Sequence, residues 1–476
     1  MKGIVNIIGA GLAGSEAALR LAGLGYSVRL FEMRPEHQTD VHHTGDCAEL
    51  VCSNSLKSTK ANSAAGMLKE ELRLLASPVF ACAEAVRVPA GGALAVDRVR
   101  FSGAVTSLVE RDPNIELIRA EVTGICRDGD VLLMHPDGKE QAAGIASDCV
   151  IVASGPLTSD ALAESIQQMS GSQNLAFYDA AAPIVMADSL DMDKLFRQSR
   201  YEQCDGDYLN APMNREEYDS FIDELLSARR VIAKDFESKD LFQACQPIEE
   251  IARKGHDAPR FGTLKPVGLT DPRTGRRPWA ALQLRAEDEN GQSYNLVGFQ
   301  TNLAFPEQKR VFRMIPGLEN AEFARYGVMH RNTFVDAPQV LDRNLLVKGE
   351  SAAHFDVPVL LAGQVSGTEG YCEAIRSGAH AALSCAAILQ GIAPVELPSD
   401  TAFGALVSYA TSPDTKDYQP MHVNFGIMRP LEEHIRNKQE RYSCYAQRGL
   451  NAMESYAEAL RESGLLFEEG SDGTQR

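Results

Sequence analysis

The start of the chain has an alternation of apolar segments that predicts a strand, a helix and a second strand. A β-branched run, "GIVNII", ends in a glycine-rich turn, and an Ala- and Leu-rich segment, "SEAALRLAGLG", follows. A second apolar run, "YSVRLFEM", comes next. Short runs of this kind are typical of buried strands, whereas the longer segment is typical of a helix. The pattern predicts a βαβ unit within a parallel sheet.

The later sequence returns to this pattern after an interruption. Strand-like runs recur at "DVLLMHP" and "CVIVASG", and from about Tyr178 acidic helical segments such as "NREEYDSFIDELLSARR" replace them. An apolar strand with glycines reappears at "PVLLAGQVSGTEG". We predict an α/β fold in which a Rossmann-like domain is interrupted by an inserted α+β domain. The predicted segments are 1–178 (first part of the Rossmann-like domain), 179–334 (inserted domain), 335–397 (return segment) and 398–476 (helical extension packing on the first domain).

The glycine-rich turn carries a dinucleotide-binding motif. Gly9, Gly11 and Gly14 form G-x-G-x-x-G between the predicted strand and helix. The first glycine allows the tight turn, the second lets the backbone approach a pyrophosphate, and the third lets the helix pack closely. Glu32 ends the second strand, where a carboxylate accepts hydrogen bonds from ribose hydroxyls. The predicted cofactor contacts in this unit are Gly9, Ala10, Gly11, Leu12, Ala13, Gly14 and Glu32.

Two later strand ends favour FAD over NAD as the dinucleotide. "VIVASGPL" ends its apolar run at Gly155, and "VLLAGQVSGTEG" ends its run at Gly363, beside Gln364. Flavoproteins that bind a dinucleotide have such endings, and the second places a helix start near the flavin. We therefore add Gly155, Gly363 and Gln364 to the predicted cofactor site.

Composition places the chain among ordinary globular proteins. It has 476 residues, of which 44% are hydrophobic and 24% charged, and no run approaches the roughly 18 apolar residues of a membrane span. The N-terminus lacks the features of a signal peptide. We therefore expect a cytoplasmic protein with no membrane attachment.

The net charge of −18 argues against a polyanionic partner, but the charge is unevenly distributed. Residues 251–285 hold eight basic and two acidic side chains, so this window is net +6. It is either an ordinary solvated surface or a local anion-binding patch, in which Arg276 and Arg277 are the candidate contacts.

The ten cysteines include no C-x-x-C pair, so we predict no zinc site or thioredoxin-type site. Cys245 precedes a predicted helix that starts with Pro247, Glu249 and Glu250, and a helix N-terminus favours the thiolate. Cys52 lies between an apolar run and a polar turn, in "AELVCSNS". From the residues alone, either cysteine is packing material or a reactive group.

A set of longer motifs resembles one enzyme family over nearly the whole chain. The motifs include "GAGLAGSEAA", "AELVCSNSLKS", "VPAGGALAVDR", "FYDAAAPIV", "CQPIE", "GFQTNL", "IPGLENAEFARYGVMHRNTF" and "QPMHVNFGI". They are similar to the folate- and FAD-dependent tRNA (uracil-5-)-methyltransferases, the TrmFO family. The resemblance implies a GidA-like, glutathione-reductase-type FAD domain, methylenetetrahydrofolate as one-carbon donor and NADPH or NADH as reductant. It also implies that the T-loop uridine of tRNA, position 54, becomes 5-methyluridine.

The resemblance assigns roles to both cysteines. It implies that Cys245 attacks the base and that Cys52 stands beside the flavin, which it protects or traps in its activated form. The substrate candidates are Arg276 and Arg277 for RNA phosphates and His330, Arg331 and Tyr371 for folate or base contacts. No obligatory protein partner is expected beyond tRNA and folate.

Three other functions stay open at this point. A GidA-type wobble-uridine enzyme pairs the same cofactors but has a longer helical C-terminal region. An NAD(P)H-dependent flavin oxidoreductase would act on a small molecule without RNA. A binding protein stabilised by FAD would have no turnover. The net charge of −18 favours the last two.

Overall fold

The computed structural model describes residues 2–39, 41–135, 138–171, 175–201, 206–232, 246–415 and 418–467, with backbone only at 175–178 and 330–331. The strands are β1 Ile4–Ile8, β2 Ser27–Glu32, β3 Ser55–Ser58, β4 Arg87–Val88, β5 Ala93–Val96, β6 Ile115–Arg119, β7 Val122–Ile125, β8 Val131–Met134, β9 Glu140–Ala142, β10 Cys149–Val152, β11 Leu175–Ala180, β12 Ile184–Met186, β13 Phe196–Arg197, β14 Tyr208–Met213, β15 Ala280–Ala286, β16 Ser293–Leu296, β17 Phe323–Arg325, β18 Met329–Phe334 and β19 Val359–Leu361.

The helices alternate with these strands in the first and last parts of the chain. They are α1 Leu12–Gly23, α2 Ala64–Leu74, α3 Pro78–Ala85, α4 Arg98–Arg111, α5 Asp160–Ser170, α6 Arg215–Ser227, α7 Ile248–Arg253, α8 Ala258–Phe261, α9 Phe305–Phe312, α10 Ala337–Val340, α11 Gly349–Ala352, α12 Tyr371–Leu389, α13 Ala402–Ala410 and α14 Lys438–Glu462. In the described part of the chain, no helix is both long and apolar enough to cross a membrane.

A five-stranded parallel sheet forms the centre of the first domain. Its strand order is β19-β10-β1-β2-β6, so the late strand β19 lies beside β10 from the first part of the chain. All four residues of β10 are buried, as both faces of a parallel sheet are covered by helices. The carboxyl ends of β1, β10 and β19 therefore meet at one edge of the sheet.

Helices α1 and α12 pack against each other and against this sheet at very short range. A Cβ atom on Gly378 of α12 would lie 2.1 Å from the carbonyl oxygen of Ala13, and one on Gly14 of α1 would lie 1.8 Å from that of Gly9. Both positions therefore exclude a side chain, and the helices bring their N-termini to the carboxyl edge of the sheet.

The inserted part has its own antiparallel sheet and its own hydrophobic core. The six strands run β13-β14-β15-β16-β12-β17 and are covered by α6, α7 and α9. Its core includes Tyr218, Phe221, Phe299 and Phe312. A separate and larger core combines residues before Met169 with residues after Phe334. The antiparallel ribbon of β11 and β18 lies between the two parts in sequence.

The domain boundaries at 178, 334 and 397 stay predictions; the two cores divide near the first two positions, whereas the larger core continues across 397. Residues 127–147 contain the strands β8 and β9, which form a three-stranded antiparallel sheet with β7. The last segment ends in a long charged helix. Helix α14 begins at Lys438 because the Asn437 side chain accepts hydrogen bonds from the N–H groups of Gln439 and Glu440.

Candidate functional site

The glycine turn after β1 forms one end of a deep cavity. Gly9 has φ +100°, a conformation that favours glycine, and Gly14 lies under the turn against the Gly9 carbonyl. A Cβ atom on Gly11 would meet no atom of the described residues within 4 Å, so the backbone faces open space there. Within the described part of the chain, no side chain caps the start of α1, which leaves its first N–H groups available to an anion. This cradle fits the pyrophosphate of a dinucleotide.

Glu32 borders the same cavity at the end of β2. One carboxylate oxygen accepts a hydrogen bond from the Ala10 N–H at 3.0 Å, and the other accepts from the backbone N–H and the Nε of Arg34. Arg34 is in turn paired with Glu49 at 3.1 Å. The oxygen that accepts from Ala10, Oε2, has a further lone pair, so Glu32 is held in place and still able to accept from a ribose hydroxyl.

The ends of β10 and β19 also border the cavity. Gly155 after β10 and Gly363 after β19 have φ +70° and +75°, and both line the cavity with Gln364. Helix α12 starts at Tyr371 with Gly370 as its N-cap and no side-chain cap. Two uncapped helix N-termini therefore face one cavity, which suits an anionic, elongated ligand. Of the remaining predicted contacts, Leu12 and Ala13 also line it.

Cys52 lies at the wall of this cavity, next to Tyr371. The Tyr371 hydroxyl oxygen accepts hydrogen bonds from the N–H groups of Cys52 at 3.0 Å and Ser53 at 3.2 Å. Burial and the nearby thiol raise the pKa of Tyr371, so the phenol stays protonated. Arg98 donates to the carbonyls of Leu50 and Cys52 on the other side of this turn. Tyr371 is therefore a support for the Cys52 turn, a role that the sequence did not suggest.

Three charged residues at the cavity wall were missed by the sequence reading. Asp179, Glu369 and Lys57 line the space near Cys52. Burial and the neighbouring Asp179 raise the pKa of Glu369 well above its ordinary value. Glu369 and Lys57 lie within the quoted stretches "VLLAGQVSGTEG" and "AELVCSNSLKS", but neither stretch indicates by itself that its charged residue faces a ligand.

His42 also lines the cavity, although its sequence context is typical of a turn. Burial, followed by the charge of Arg34, lowers the pKa of His42 to about 3. Its Nδ1 is 2.8 Å from the Thr39 hydroxyl. The imidazole is therefore neutral at physiological pH and acts as a hydrogen-bonding wall residue.

Cys245 lies outside the described residues, so its predicted role stays a prediction. The helix after it, α7, begins at Ile248 and not at Pro247, and it spans six residues. So short a helix has a weaker dipole with which to activate the Cys245 thiol. The Ile248 N–H donates to the carbonyl of Gln300, which lines the cavity, so α7 is connected to the cavity wall.

Much of the basic window is used within the protein. Arg285 is buried and donates to the Asn54 side chain at 2.7 Å, the Arg260 guanidinium lies 3.4 Å from the Trp279 ring centroid, and Arg273 pairs with Asp271 at 2.9 Å. Arg276 and Arg277 are exposed after the turn that starts at Asp271. Fewer basic side chains of residues 251–285 are therefore available to bind an anion than the net charge of this window suggests. The other two substrate candidates, His330 and Arg331, belong to β18, and their side chains lie outside what is described.

Comparison with known proteins identifies the class of protein. The sequence model of the family described as glucose inhibited division protein A matches residues 4–393. A solved structure of Aquifex aeolicus GidA aligns with a TM-score of 0.70 at 18% identity, covering 98% of this chain and 77% of that chain. The chain therefore belongs to the GidA family, and the predicted fold class is confirmed.

Closer relatives define the branch within this class. The methylenetetrahydrofolate--tRNA-(uracil-5-)-methyltransferase TrmFO of Geobacter sulfurreducens is 50% identical over 457 residues, covering 96% of this chain and 99% of the relative. The protein of the same name from Bacillus licheniformis is 47% identical over 460 residues, covering 97% of this chain and all of the relative. The chain belongs to the TrmFO family, as the sequence motifs indicated.

Proposed function

We propose that this protein methylates C5 of the T-loop uridine of tRNA, with methylenetetrahydrofolate as the one-carbon donor. The observation that carries the proposal is the match of 50% and 47% identity, over nearly the full length, to proteins named for this reaction. The cavity supports it, because a dinucleotide cradle and Cys52 border the same space. A GidA-type wobble-uridine activity has less support, since the solved GidA structure is 18% identical.

FAD is the proposed cofactor, and the residues at the cavity fit it. Gly11 and the start of α1 would hold the pyrophosphate, and Glu32 would hold the adenosine ribose. Gly155, Gly363 and the start of α12 would border the flavin end. Bound and reduced by NADPH or NADH, FAD supplies the hydride that completes the methyl group.

The chemistry requires a nucleophile, because C5 of uracil is a poor one. A thiolate that adds at C6 moves electron density to C5, which then attacks the one-carbon unit. We assign this addition to Cys245, and we place Cys52 beside the flavin, where its backbone is held by Tyr371. His330, Arg331 and Tyr371 stay candidates for folate or base contacts.

RNA binding is expected to use the exposed pair Arg276 and Arg277. The T-loop uridine is paired and stacked, so it must be turned out into the cavity, at a cost of a few kcal/mol. Phosphate contacts at the neighbouring surface offset this cost. The double substitution Arg276→Ala with Arg277→Ala should weaken tRNA binding and lower the slope of log affinity against log salt by about 1 to 2. Arg127→Ala is the control, because Arg127 is exposed and paired with Asp356; unchanged binding in the double variant would remove the pair from the RNA site.

A methylation assay tests the proposed function. Purified protein is incubated with unmodified tRNA transcript, methylenetetrahydrofolate and NADPH, and the RNA is digested and analysed for 5-methyluridine. Product at the T-loop supports the proposal. Product at the wobble position would favour the GidA-type activity, and NADPH oxidation with unchanged RNA would favour a flavin oxidoreductase.

A cysteine comparison tests the assigned nucleophile. Cys245→Ala is expected to abolish methylation while FAD stays bound. Cys444→Ala, which removes a partly exposed thiol of α14, is the control and should stay active. Near-normal activity of the Cys245 variant would remove this thiol from the mechanism. A cytoplasmic location and independence from a protein partner stay predictions.

A further inference from the structure

Three aromatic rings form a parallel stack on the surface of the inserted part. The rings of Phe305 and Tyr326 have centroids 4.9 Å apart at 16°, and those of Tyr326 and Phe323 have centroids 5.1 Å apart at 10°. Phe305 is 47% exposed. Tyr326 stacks on one face of the Phe305 ring, and about half of the Phe305 residue stays accessible to solvent. The Phe305 end of the stack can therefore be reached by a fourth ring.

The buried side-chain amide of Gln308 holds the aromatic stack in place. Gln308 of α9 is fully buried, its Nε2 donates to the Gly327 carbonyl at 2.8 Å, and its Oε1 accepts from the Gly327 N–H at 2.8 Å. A Cβ on Gly327 would lie 2.7 Å from the Ala181 carbonyl oxygen, so the backbone fits closely there. This pair of hydrogen bonds fixes the helix that carries Phe305 against the turn that carries Tyr326. The rings are therefore pre-oriented before any ligand arrives.

Two exposed cationic residues, Lys309 and Arg229, have backbone positions close to Phe305. Lys309 lies one helical turn after Phe305 on α9, and the Arg229 carbonyl accepts a hydrogen bond from the Ala304 N–H at 3.0 Å. Among the described residues, neither Lys309 nor Arg229 has a carboxylate partner. The neighbouring Arg310 differs, since it is paired with two glutamates of its surroundings. An aromatic face with unpaired cations beside it suits a base and its phosphates.

Two short stretches of chain connect the aromatic stack to the cavity wall. Gln300 lines the cavity and is five residues before Phe305, a span of at most about 18 Å when fully extended. On the other side, Arg325 precedes Tyr326 and donates to the Val41 carbonyl, next to the cavity residue His42. A few nucleotides of RNA can therefore connect a base on Phe305 with a uridine in the cavity.

We propose that the open face of Phe305 stacks an unpaired base of the RNA substrate, close to the uridine that enters the cavity. The inference rests on the proposed function, since it assumes an RNA substrate. Turning out one uridine leaves its neighbours partly unstacked, and an aromatic ring replaces the lost stacking. Base–aromatic stacking is sequence-tolerant, so Phe305 contributes affinity and fixes the register of the loop.

The test compares tRNA affinity in Phe305→Ala, Phe305→Trp and a control. Phe305→Ala should weaken binding of unmodified tRNA about tenfold, and Phe305→Trp should retain wild-type affinity, because tryptophan keeps a stacking face. Phe467→Ala is the control, since Phe467 is 58% exposed in the C-terminal part. Unchanged FAD content and melting temperature in each variant establish that the fold is intact.

Abasic substitutions in the RNA identify the stacked base. Single abasic sites are placed at each T-loop position, and the stacked position should weaken binding to wild type but not to Phe305→Ala. The stacking site is overturned if Phe305→Ala binds as wild type, or if every abasic site weakens both proteins equally. Wild-type protein that neither binds nor methylates tRNA would overturn the proposed function as well, so the two failures are distinguishable.

Discussion

Glu249 provides a prediction whose direction is unusual for a charge-removing substitution. The side chain is fully buried at the start of α7 and accepts hydrogen bonds from the Asn302 N–H at 2.6 Å and the Thr301 hydroxyl at 3.0 Å. Burial raises the pKa of Glu249 from 4.5 to about 7, because it outweighs these hydrogen bonds. We predict that Glu249→Gln, which keeps the shape without the charge, makes the protein more stable at pH 8.

The expected size follows from proton linkage. The difference between 4.5 and about 7 corresponds to about 3 kcal/mol, at about 1.4 kcal/mol per pH unit. Because the pKa of Glu249 is raised in the folded state, this contribution to the stability of the wild-type protein is fully present below pH 4.5. It is lost as the pH rises to about 7. About 1 kcal/mol is already lost at pH 5. The advantage of Glu249→Gln over wild type should therefore grow by about 2 kcal/mol between pH 5 and pH 8.

Urea unfolding followed by tryptophan fluorescence measures this difference. Trp279 is the single tryptophan of the chain and packs against the same hydrophobic core as α7, so its emission reports the unfolding of this part. Glu216→Gln removes an exposed carboxylate of α6 and is the control, with wild-type pH dependence expected. The predicted effect of the buried charge would be contradicted if the stability difference between Glu249→Gln and wild type were equal at pH 5 and pH 8. It would also be contradicted if the Glu249→Gln protein were less stable than wild type at pH 8.

Two further predictions concern the cofactor cavity. Gly11→Val should lose FAD, measured by flavin absorbance, without lowering the stability of the apoprotein, because the valine side chain enters open space. Gly14→Ala should destabilise the apoprotein itself, since the alanine Cβ would meet the Gly9 carbonyl at 1.8 Å. Equal apoprotein stability in both variants would contradict this. Tyr371→Phe should keep FAD, because the substitution removes only the hydroxyl. It should alter the iodoacetamide alkylation rate of Cys52 and lower methylation by about tenfold, since the Cys52 turn loses two hydrogen bonds. An unchanged alkylation rate would contradict the role of Tyr371 as a support for this turn.

The nucleotide half of the site could be predicted from sequence because its determinants are local. Gly9, Gly11 and Gly14 act within one turn, and Glu32 follows at the end of the next strand, so spacing alone places them together. Gly155 and Gly363 follow strands that join the same parallel sheet, and their carboxyl ends must meet at one edge.

The rest of the site depends on contacts between distant residues. Cys52 and Tyr371 are 319 positions apart and meet only because α12 packs behind the Cys52 turn. Glu249 is acidic at a helix start, which predicts an exposed cap, yet it is buried against the loop at Thr301. Arg285 counted toward a basic surface, but the fold buries it beside Asn54. Burial of this kind follows from tertiary packing and has no local pattern.

The proposed reaction makes the folate methylene carbon the methyl group of a tRNA uridine. The most direct measurement uses methylenetetrahydrofolate labelled at that carbon, with NADPH and unmodified tRNA, followed by digestion and analysis of the nucleosides. We predict label in 5-methyluridine from the T-loop, in proportion to protein and dependent on NADPH. Unlabelled RNA after complete consumption of NADPH, or label at another position of the tRNA, would contradict it.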